Sequence, residues 1–245
     1  MIRIENLSKR YGNFLAVDDL SLTVPAGELF AFLGVNGAGK TTTIRMLTGV
    51  LKPTTGNIEI AGFDMAREPE LAKASTGYIP DRPYLYNRLT AREYLYFVAD
   101  LHDVPQSNLN SRIDELLSVY GLTRWEDELI EGFSHGMKQR LSICAALVHE
   151  PKVLIVDEPM VGLDPHGAKL LKETFREYAK AGMTILFSTH SLNVAEEVAD
   201  RLAIVHRGKI VSIGTLSEIK SASGTDNRKL EEIFIELTLE NEISV

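Results

Sequence analysis

Eight residues in the first fifth of the chain have the types and spacing needed to bind a nucleotide phosphate. They match the pattern G-x-x-x-x-G-K-[ST] without a mismatch, and they are Gly34, Val35, Asn36, Gly37, Ala38, Gly39, Lys40 and Thr41. An apolar run at residues 29–33 predicts a buried strand before them, and residues 42–48 predict the first turns of a helix after them. In such a loop, backbone N–H groups point at the phosphates and the helix N-terminus adds partial positive charge. The pattern predicts that the chain binds a nucleoside triphosphate.

The residue types in this loop follow from the chemistry of phosphate binding. Glycine is needed because a Cβ would block the tight turn and the close approach of phosphate. The Lys40 ammonium can reach the β- and γ-phosphates, the Thr41 hydroxyl can ligate Mg²⁺, and Thr42 extends the phosphate-binding set. A glycine-rich turn with an unrelated lysine is the alternative. The predicted order of strand, loop and helix argues against it.

A pair of carboxylates follows a second apolar strand pattern, at residues 153–156. At the end of a buried parallel strand, Asp157 would face the phosphate loop and hold Mg²⁺, directly or through water. Glu158 would polarise a water in line with the γ-phosphate. Alone, the pair is equally consistent with an acidic turn, but the phosphate loop favours the catalytic interpretation. A third strand pattern leads to His190, whereas the other five histidines have no such placement.

Composition limits the classes of function that remain. A chain of 245 residues can form one large α/β domain or two small ones. The net charge of −8 gives no global basic surface, so we expect no nucleic-acid partner. The single cysteine, Cys144, lies in an apolar helical pattern, which fits a core residue in a reducing cytosol. No signal-peptide core or membrane span is expected.

The order of strand and helix patterns predicts an α/β fold. Residues 1–80 carry mostly strand patterns, residues 89–149 carry helical patterns, and strands and helices then alternate. We expect a P-loop NTPase core, in which helices flank a mostly parallel sheet, with an N-terminal antiparallel β subdomain and a helical insertion. The predicted strands are residues 2–5, 20–24, 29–33, 57–60, 153–156, 184–188, 203–206 and 209–213, and the helices after the first are residues 93–101, 111–120, 134–149, 168–181 and 192–199.

The predicted domain organisation is simple. Residues 1–237 would form one domain, with the helical subdomain at about residues 85–150 inside it. A flexible linker is expected at residues 221–227 and a last helix at about residues 229–237. Residues 238–245 would form a C-terminal tail.

A third motif makes the resemblance to a known family specific. Residues 133–140, with the sequence FSHGMKQR, are similar to the signature sequence of ATP-binding cassette (ABC) ATPases. They precede the carboxylate pair by the spacing found in that family. Tyr11, residues 162–165 and His190 fall where the family has its adenine-stacking aromatic, its D-loop and its switch histidine. Six motifs occur in the family's order between residue 2 and about residue 237, so the chain is identified as a member of that family.

The resemblance implies a second nucleotide contact in the signature. Ser134 is a good N-cap for the helix predicted after it, and the resulting helix N-terminus can bind an anion. In the family this terminus binds the γ-phosphate of ATP held by the other subunit, so two chains enclose two nucleotides head to tail. Ser134 and Gly136 would therefore contact the nucleotide of the partner subunit.

The resemblance also implies roles for three further residues. Tyr11 would stack on adenine, although an ordinary turn aromatic is the alternative. His190 would contact the γ-phosphate and help to place the attacking water. Asp164 would communicate across the dimer.

The chain departs from the family pattern at Asp81. The family usually has Gln at this place, after the strand at residues 76–80, as a neutral ligand for Mg²⁺ or water and as a link to the helical insertion. A carboxylate could ligate Mg²⁺ more strongly, or be repelled by the γ-phosphate when the metal is absent. We expect Asp81 to keep the linking role.

The signature departs from the family pattern as well. Phe133, His135 and Met137 replace Leu, Gly and Gln. Ser134 and Gly136, which would present a hydroxyl and an unhindered N–H to phosphate, are retained. We therefore expect an active site rather than a degenerate one.

Residues 81–89 mix aromatic and basic side chains, a composition that suits a partner surface. By analogy with the family, this segment would face a cytoplasmic helix of a membrane permease. Alternatively, Tyr84 and Tyr86 pack the insertion onto the sheet. Residues 136–140, together with Pro80 and Asp81, are most like those of exporter systems that pair a short ATPase chain with a separate permease.

These features together predict the ATP-binding and ATP-hydrolysing subunit of an ABC transporter, with ATP and Mg²⁺ as ligands. It would form an ATP-dependent dimer with itself or a related ATPase, on the cytoplasmic face of a membrane and in contact with a permease subunit. Export is favoured, because little more than a linker and a helix follows Ile213, whereas many importer subunits append a regulatory domain. A soluble ABC ATPase acting on ribosomes or DNA is a further alternative, against which the single cassette and the lack of a long heptad repeat argue.

Overall fold

Two sheets organise the chain in the computed structural model, which describes residues 1–160, 163–222 and 229–243. Within these residues the first sheet has the strand order β2-β1-β4-β5 and is antiparallel, and the second has the order β10-β9-β3-β8-β7-β6. The second sheet is parallel except for its edge strand β10, which runs antiparallel to β9. The strands are β1 (Ile2–Tyr11), β2 (Phe14–Val24), β3 (Leu29–Leu33), β4 (Thr55–Ile60), β5 (Phe63–Asp64), β6 (Thr76–Ile79), β7 (Val153–Val156), β8 (Thr184–Thr189), β9 (Arg201–His206) and β10 (Lys209–Gly214).

Helices cover the second sheet and form the insertion between β6 and β7. The insertion contains α3, α4 and α5, and α3 begins with a capping box in which the Thr90 hydroxyl accepts from Glu93 N–H and the Glu93 carboxylate accepts from Thr90 N–H. The helices are α1 (Lys40–Leu47), α2 (Pro69–Ala74), α3 (Ala91–Leu101), α4 (Leu109–Val119), α5 (His135–Leu147), α6 (Pro165–Lys180), α7 (Leu192–Val198), α8 (Leu216–Ala222) and α9 (Leu230–Ile243).

The parallel sheet is buried on both faces, which explains its continuous apolar strands. On β3, Phe30 and Phe32 point into a core shared with the antiparallel sheet and α1. Ala31 and Leu33 point into a second core that contains the insertion and the later helices. The carboxyl ends of β3, β7 and β8 meet at one edge of this sheet, so the residues that follow these strands lie close together.

The structure confirms the predicted fold class, and it moves several boundaries. β1 continues to Tyr11 because it pairs with β2 and β4 on its two sides, with register shifts near Asn6 that break the alternation read from the sequence. The short helix α2 was not predicted, and Ala72 is its buried residue. A helix this short buries too little to produce a recognisable apolar period.

The structure describes part of the C-terminal segment for which a linker, a helix and a tail are predicted. Helix α9 runs to Ile243, past the expected helix end at residue 237 and into the expected tail. Ser221 and Ala222, expected in a linker, belong to α8. Gly162 of the expected D-loop, the rest of the expected linker and the last two residues lie outside the described residues.

Candidate functional site

The loop between β3 and α1 has the backbone that phosphate binding requires. Gly37 and Gly39 adopt positive φ angles of 83° and 103°, which L-residues rarely adopt. A Cβ at Gly39 would also lie 2.7 Å from the Ala16 carbonyl oxygen. Gly39 caps α1 without a side-chain hydrogen bond, so no side chain occupies the N–H groups at this helix end. These groups are free to bind an anion.

The loop is fixed at its base and open at its crest. Gly34 N–H donates to the Thr189 carbonyl at 3.2 Å, and a Cβ at Gly34 would lie 2.6 Å from the Val205 carbonyl oxygen. Ala38 is buried, and its carbonyl accepts from Gly208 N–H at 2.9 Å. The crest residues Val35, Asn36 and Gly37 are exposed. In the first turn of α1, Thr41 is exposed and Thr42 is half-buried.

Lys40 is buried, and its ammonium group is held by the loop itself. Nζ donates to the Gly34 carbonyl at 2.7 Å and to the Val35 carbonyl at 3.3 Å. It also lies 3.4 Å from Oε1 of Glu158. The phosphate loop and the carboxylate that follows β7 are therefore in direct contact.

Asp157 follows β7 and is buried, with one oxygen bonded and the other free. Its Oδ1 accepts from Ser188 Oγ at 2.5 Å, whereas Oδ2 is buried and has no hydrogen-bond partner among the described residues. Burial raises the pKa of Asp157, and the Ser188 hydroxyl and the nearby Thr41 hydroxyl oppose that rise. The negative charges of Asp81 and Glu158 raise the pKa further.

This environment fits a divalent cation. A buried carboxylate oxygen without a donor, near the Thr41 hydroxyl and within electrostatic reach of the Asp81 carboxylate, is the kind of oxygen ligand that Mg²⁺ prefers. A cation there would compensate the negative charge that burial makes costly. The residues present therefore fit Mg²⁺.

Glu158 has an unusual backbone conformation and contacts both Lys40 and His190. Its φ angle is 51°, in the left-handed region that costs a non-glycine residue about 1–3 kcal/mol. Its N–H donates to Ser188 Oγ at 3.0 Å, and its Oε2 lies 2.9 Å from His190 Nδ1. Lys40, Glu158 and His190 thus form one continuous chain of contacts.

Ser188 contacts two candidate residues, although none of the sequence motifs assigns it a role. Its hydroxyl donates to Asp157 and accepts from Glu158 N–H, and its side chain is fully buried. In the sequence it is a small polar residue near the end of an apolar strand pattern. The only signal available was its position two residues before His190.

Other predicted site residues lie apart from this group. Tyr11 is 47% exposed at the end of β1, where a Gly12-Asn13 turn leads into β2, and the Lys9 ammonium lies 5.3 Å from its ring centroid. Asp81 is exposed just beyond β6, near enough to influence the pKa of Asp157.

Ser134 and Gly136 line a different cleft. Ser134 caps α5 by accepting from Met137 N–H at 3.3 Å. Asp164 caps α6 in the same way, accepting from Gly167 N–H at 2.7 Å, and it shares a cleft of about 370 Å³ with Ser134 and Gly136. None of the described residues that line this cleft belongs to the phosphate loop. The two predicted nucleotide contacts are therefore separate within one chain.

The parallel sheet, the glycine loop ahead of α1 and the carboxylates at the neighbouring strand end define a P-loop nucleoside triphosphatase. Comparison with known proteins narrows this class. The family described as ABC transporter matches residues 17–161. The chain belongs to the ABC transporter family, as an ATP-binding and ATP-hydrolysing subunit.

Relatives of known name support the assignment over nearly the whole chain. The chain is 38% identical over 226 residues to the linearmycin resistance ATP-binding protein LnrL of Bacillus subtilis, covering 92% of this chain and 73% of the relative. It is 42% identical over 212 residues to the bacitracin transport ATP-binding protein BcrA of Bacillus licheniformis, covering 86% and 68%. A solved ATP-binding subunit of an ABC transporter superposes with a TM-score of 0.92 at 36% identity, covering 97% of this chain and 99% of that chain. Within the described residues, no helix combines the length and apolar character needed to cross a membrane.

Proposed function

We propose that this subunit uses Glu158 as the general base of ATP hydrolysis and drives export through a separate membrane permease. The observation that carries the catalytic part is the contact chain from Lys40 through Glu158 to His190, beside the unpartnered oxygen of Asp157. The direction of transport rests on the similarity to proteins named for resistance to linearmycin and for bacitracin transport.

The phosphates would bind residues 34–42, and Lys40 would turn from Glu158 toward the added negative charge. The released carboxylate of Glu158 then accepts a proton from water as the water oxygen bonds to the γ-phosphorus, and ADP leaves. The hydrogen bond to His190 keeps the carboxylate aimed at that water. Mg²⁺, held by Thr41, Asp157 and Asp81, would neutralise charge on the phosphates.

Two chains would enclose two nucleotides. Ser134 and Gly136 lie at the N-terminus of α5, away from the phosphate loop of their own chain, so a second subunit is needed to bring them to a bound nucleotide. A partner that is either the same chain or a related ATPase satisfies this requirement.

The permease would dock on the exposed aromatic segment between β6 and α3. Tyr84 is 80% exposed, which argues against the alternative that it packs the insertion onto the sheet. Tyr86 is 60% exposed but packs edge-on against Phe97 of α3 at 5.2 Å between ring centroids. Tyr84 also lines a cavity of about 210 Å³ between the insertion and the sheet. A permease helix seated there would place this subunit on the cytoplasmic face of the membrane.

Co-purification tests this proposal. A tagged Glu158→Gln variant, with ATP, should retain a multi-spanning membrane protein from gently solubilised native membranes, as identified by mass spectrometry. Adding Tyr84→Ser should reduce that recovery without reducing ATP binding. Recovery of ribosomal or DNA-bound proteins, with no membrane partner, would overturn the transport role and leave the ATPase.

A further inference from the structure

The Tyr11 ring is contacted by Lys9, a residue that the sequence motifs do not include. Tyr11 stands at the end of a hairpin and is 47% exposed, so its ring is free to reorient unless something restrains it. The Lys9 ammonium lies 5.3 Å from the ring centroid, within the range of a cation–π contact. Lys9 thereby covers one face of the ring, so a flat ligand would stack on the other.

Lys9 is itself fixed, and the group that fixes it belongs to the segment that follows α1. Its Nζ donates to the Lys52 carbonyl at 2.7 Å. The same segment is bonded to β1 at two further points, since Thr54 N–H donates to the Ser8 carbonyl at 2.8 Å and Arg10 N–H donates to the Thr54 hydroxyl at 3.0 Å. The phosphate loop precedes the N-terminus of α1, and this segment follows its C-terminus. The contacts therefore connect the Lys9–Tyr11 pair to the helix that begins at the phosphate loop.

We propose that Lys9 is a positioning residue for nucleotide binding, which holds the Tyr11 ring at a fixed orientation and distance relative to the phosphate loop. A base and its phosphates are joined covalently, so both must reach their contacts together. A restrained ring loses less conformational entropy when the base stacks on it. The inference rests on the proposed stacking of adenine on Tyr11, and it adds the group that orients the ring.

Titration calorimetry with two probes separates ring positioning from simple charge attraction. The probes are ADP, which has a base, and inorganic tripolyphosphate, which has none. Lys9→Met should weaken ADP binding by about two- to fivefold, the loss expected for an exposed cation–π contact. It should leave tripolyphosphate binding unchanged. Lys9→Arg should restore ADP binding, because guanidinium forms the same contact.

Controls distinguish failure of this inference from failure of the stacking proposal. Arg67→Met removes an exposed positive charge next to the edge strand β5 and should change neither affinity. Tyr11→Ala should weaken ADP binding at least about fivefold, and Lys9→Met should then have no further effect. If Tyr11→Ala leaves ADP binding unchanged, the stacking proposal is wrong and the role of Lys9 falls with it. If Tyr11→Ala weakens ADP binding but Lys9→Met does not, or weakens both probes equally, only the positioning role is wrong.

Discussion

Removing the Ser188 hydroxyl should damage both the stability and the activity of the protein. This hydroxyl donates to the Asp157 carboxylate at 2.5 Å and accepts from Glu158 N–H at 3.0 Å in a fully buried position. A hydrogen bond to a charged group contributes about 1.5–3 kcal/mol and a neutral one about 0.5–1.5 kcal/mol. Ser188→Ala should therefore lower the free energy of unfolding by about 3 kcal/mol. For a chain of this size that loss corresponds to about 6–12 °C in Tm.

The activity of Ser188→Ala should fall as well, because the strained backbone of Glu158 loses a partner that holds it. Displacement of the base by a fraction of an ångström to about 1 Å should reduce kcat by about ten- to a hundredfold. Urea denaturation followed by circular dichroism measures the first effect, and steady-state ATPase assays measure the second.

Ser142→Ala is the matched control for this prediction. Ser142 is 7% exposed and lies on α5, and its hydroxyl forms no hydrogen bond with any residue that the structure describes. Its replacement should change the free energy of unfolding by less than about 1 kcal/mol. If Ser188→Ala costs no more than Ser142→Ala, the Ser188 hydroxyl does not stabilise the fold through Asp157 and Glu158.

Further predictions concern the loop, the histidine and the buried carboxylate. Gly39→Ala should abolish nucleotide binding in a calorimetric titration, because its Cβ would lie 2.7 Å from a carbonyl oxygen and its φ angle of 103° disfavours alanine; binding near the wild-type level would contradict the strained loop. His190→Ala should lower kcat by about a hundredfold or more while the affinity for ATP changes little; an unchanged kcat would show that the histidine does not position the base. Burial raises the pKa of Asp157 above its ordinary value of 3.8, so the folded chain holds this proton more tightly than the unfolded one. The stability that results is fully present below about pH 4 and is lost as the pH rises through the raised pKa. Asp157→Asn should therefore flatten this part of the pH dependence of the free energy of unfolding, measured by urea melts between about pH 4 and 7, and an unchanged profile would refute the assignment.

The sequence was sufficient for those parts of the fold and site that depend on local pattern. Strand β3 matches its predicted bounds because it is apolar on both faces and is bounded by a turn and a glycine loop. Asp157 and Glu158 could be placed near the loop because strand ends in a parallel sheet meet at one edge.

The remaining features depend on contacts between distant segments. Ser188 acts through partners about thirty residues away along the chain, and no local pattern marks a buried hydroxyl that joins two carboxylate-bearing residues. The positive φ angle of Glu158 has no sequence signal, because glutamate ordinarily avoids this region. Lys9 and Tyr11 are two residues apart, but the Lys52 carbonyl that fixes the ammonium lies 43 residues away.

The rate of ATP hydrolysis by Glu158→Gln tests most directly whether Glu158 is the general base. The variant keeps the size of the side chain but cannot accept the proton, so kcat should fall by about a hundredfold or more while ATP still binds. Glu150→Gln is the control, because Glu150 is an exposed glutamate with a similar φ angle of 52°. Its rate should match the wild type. Hydrolysis by Glu158→Gln at the wild-type rate would show that Glu158 is not the general base.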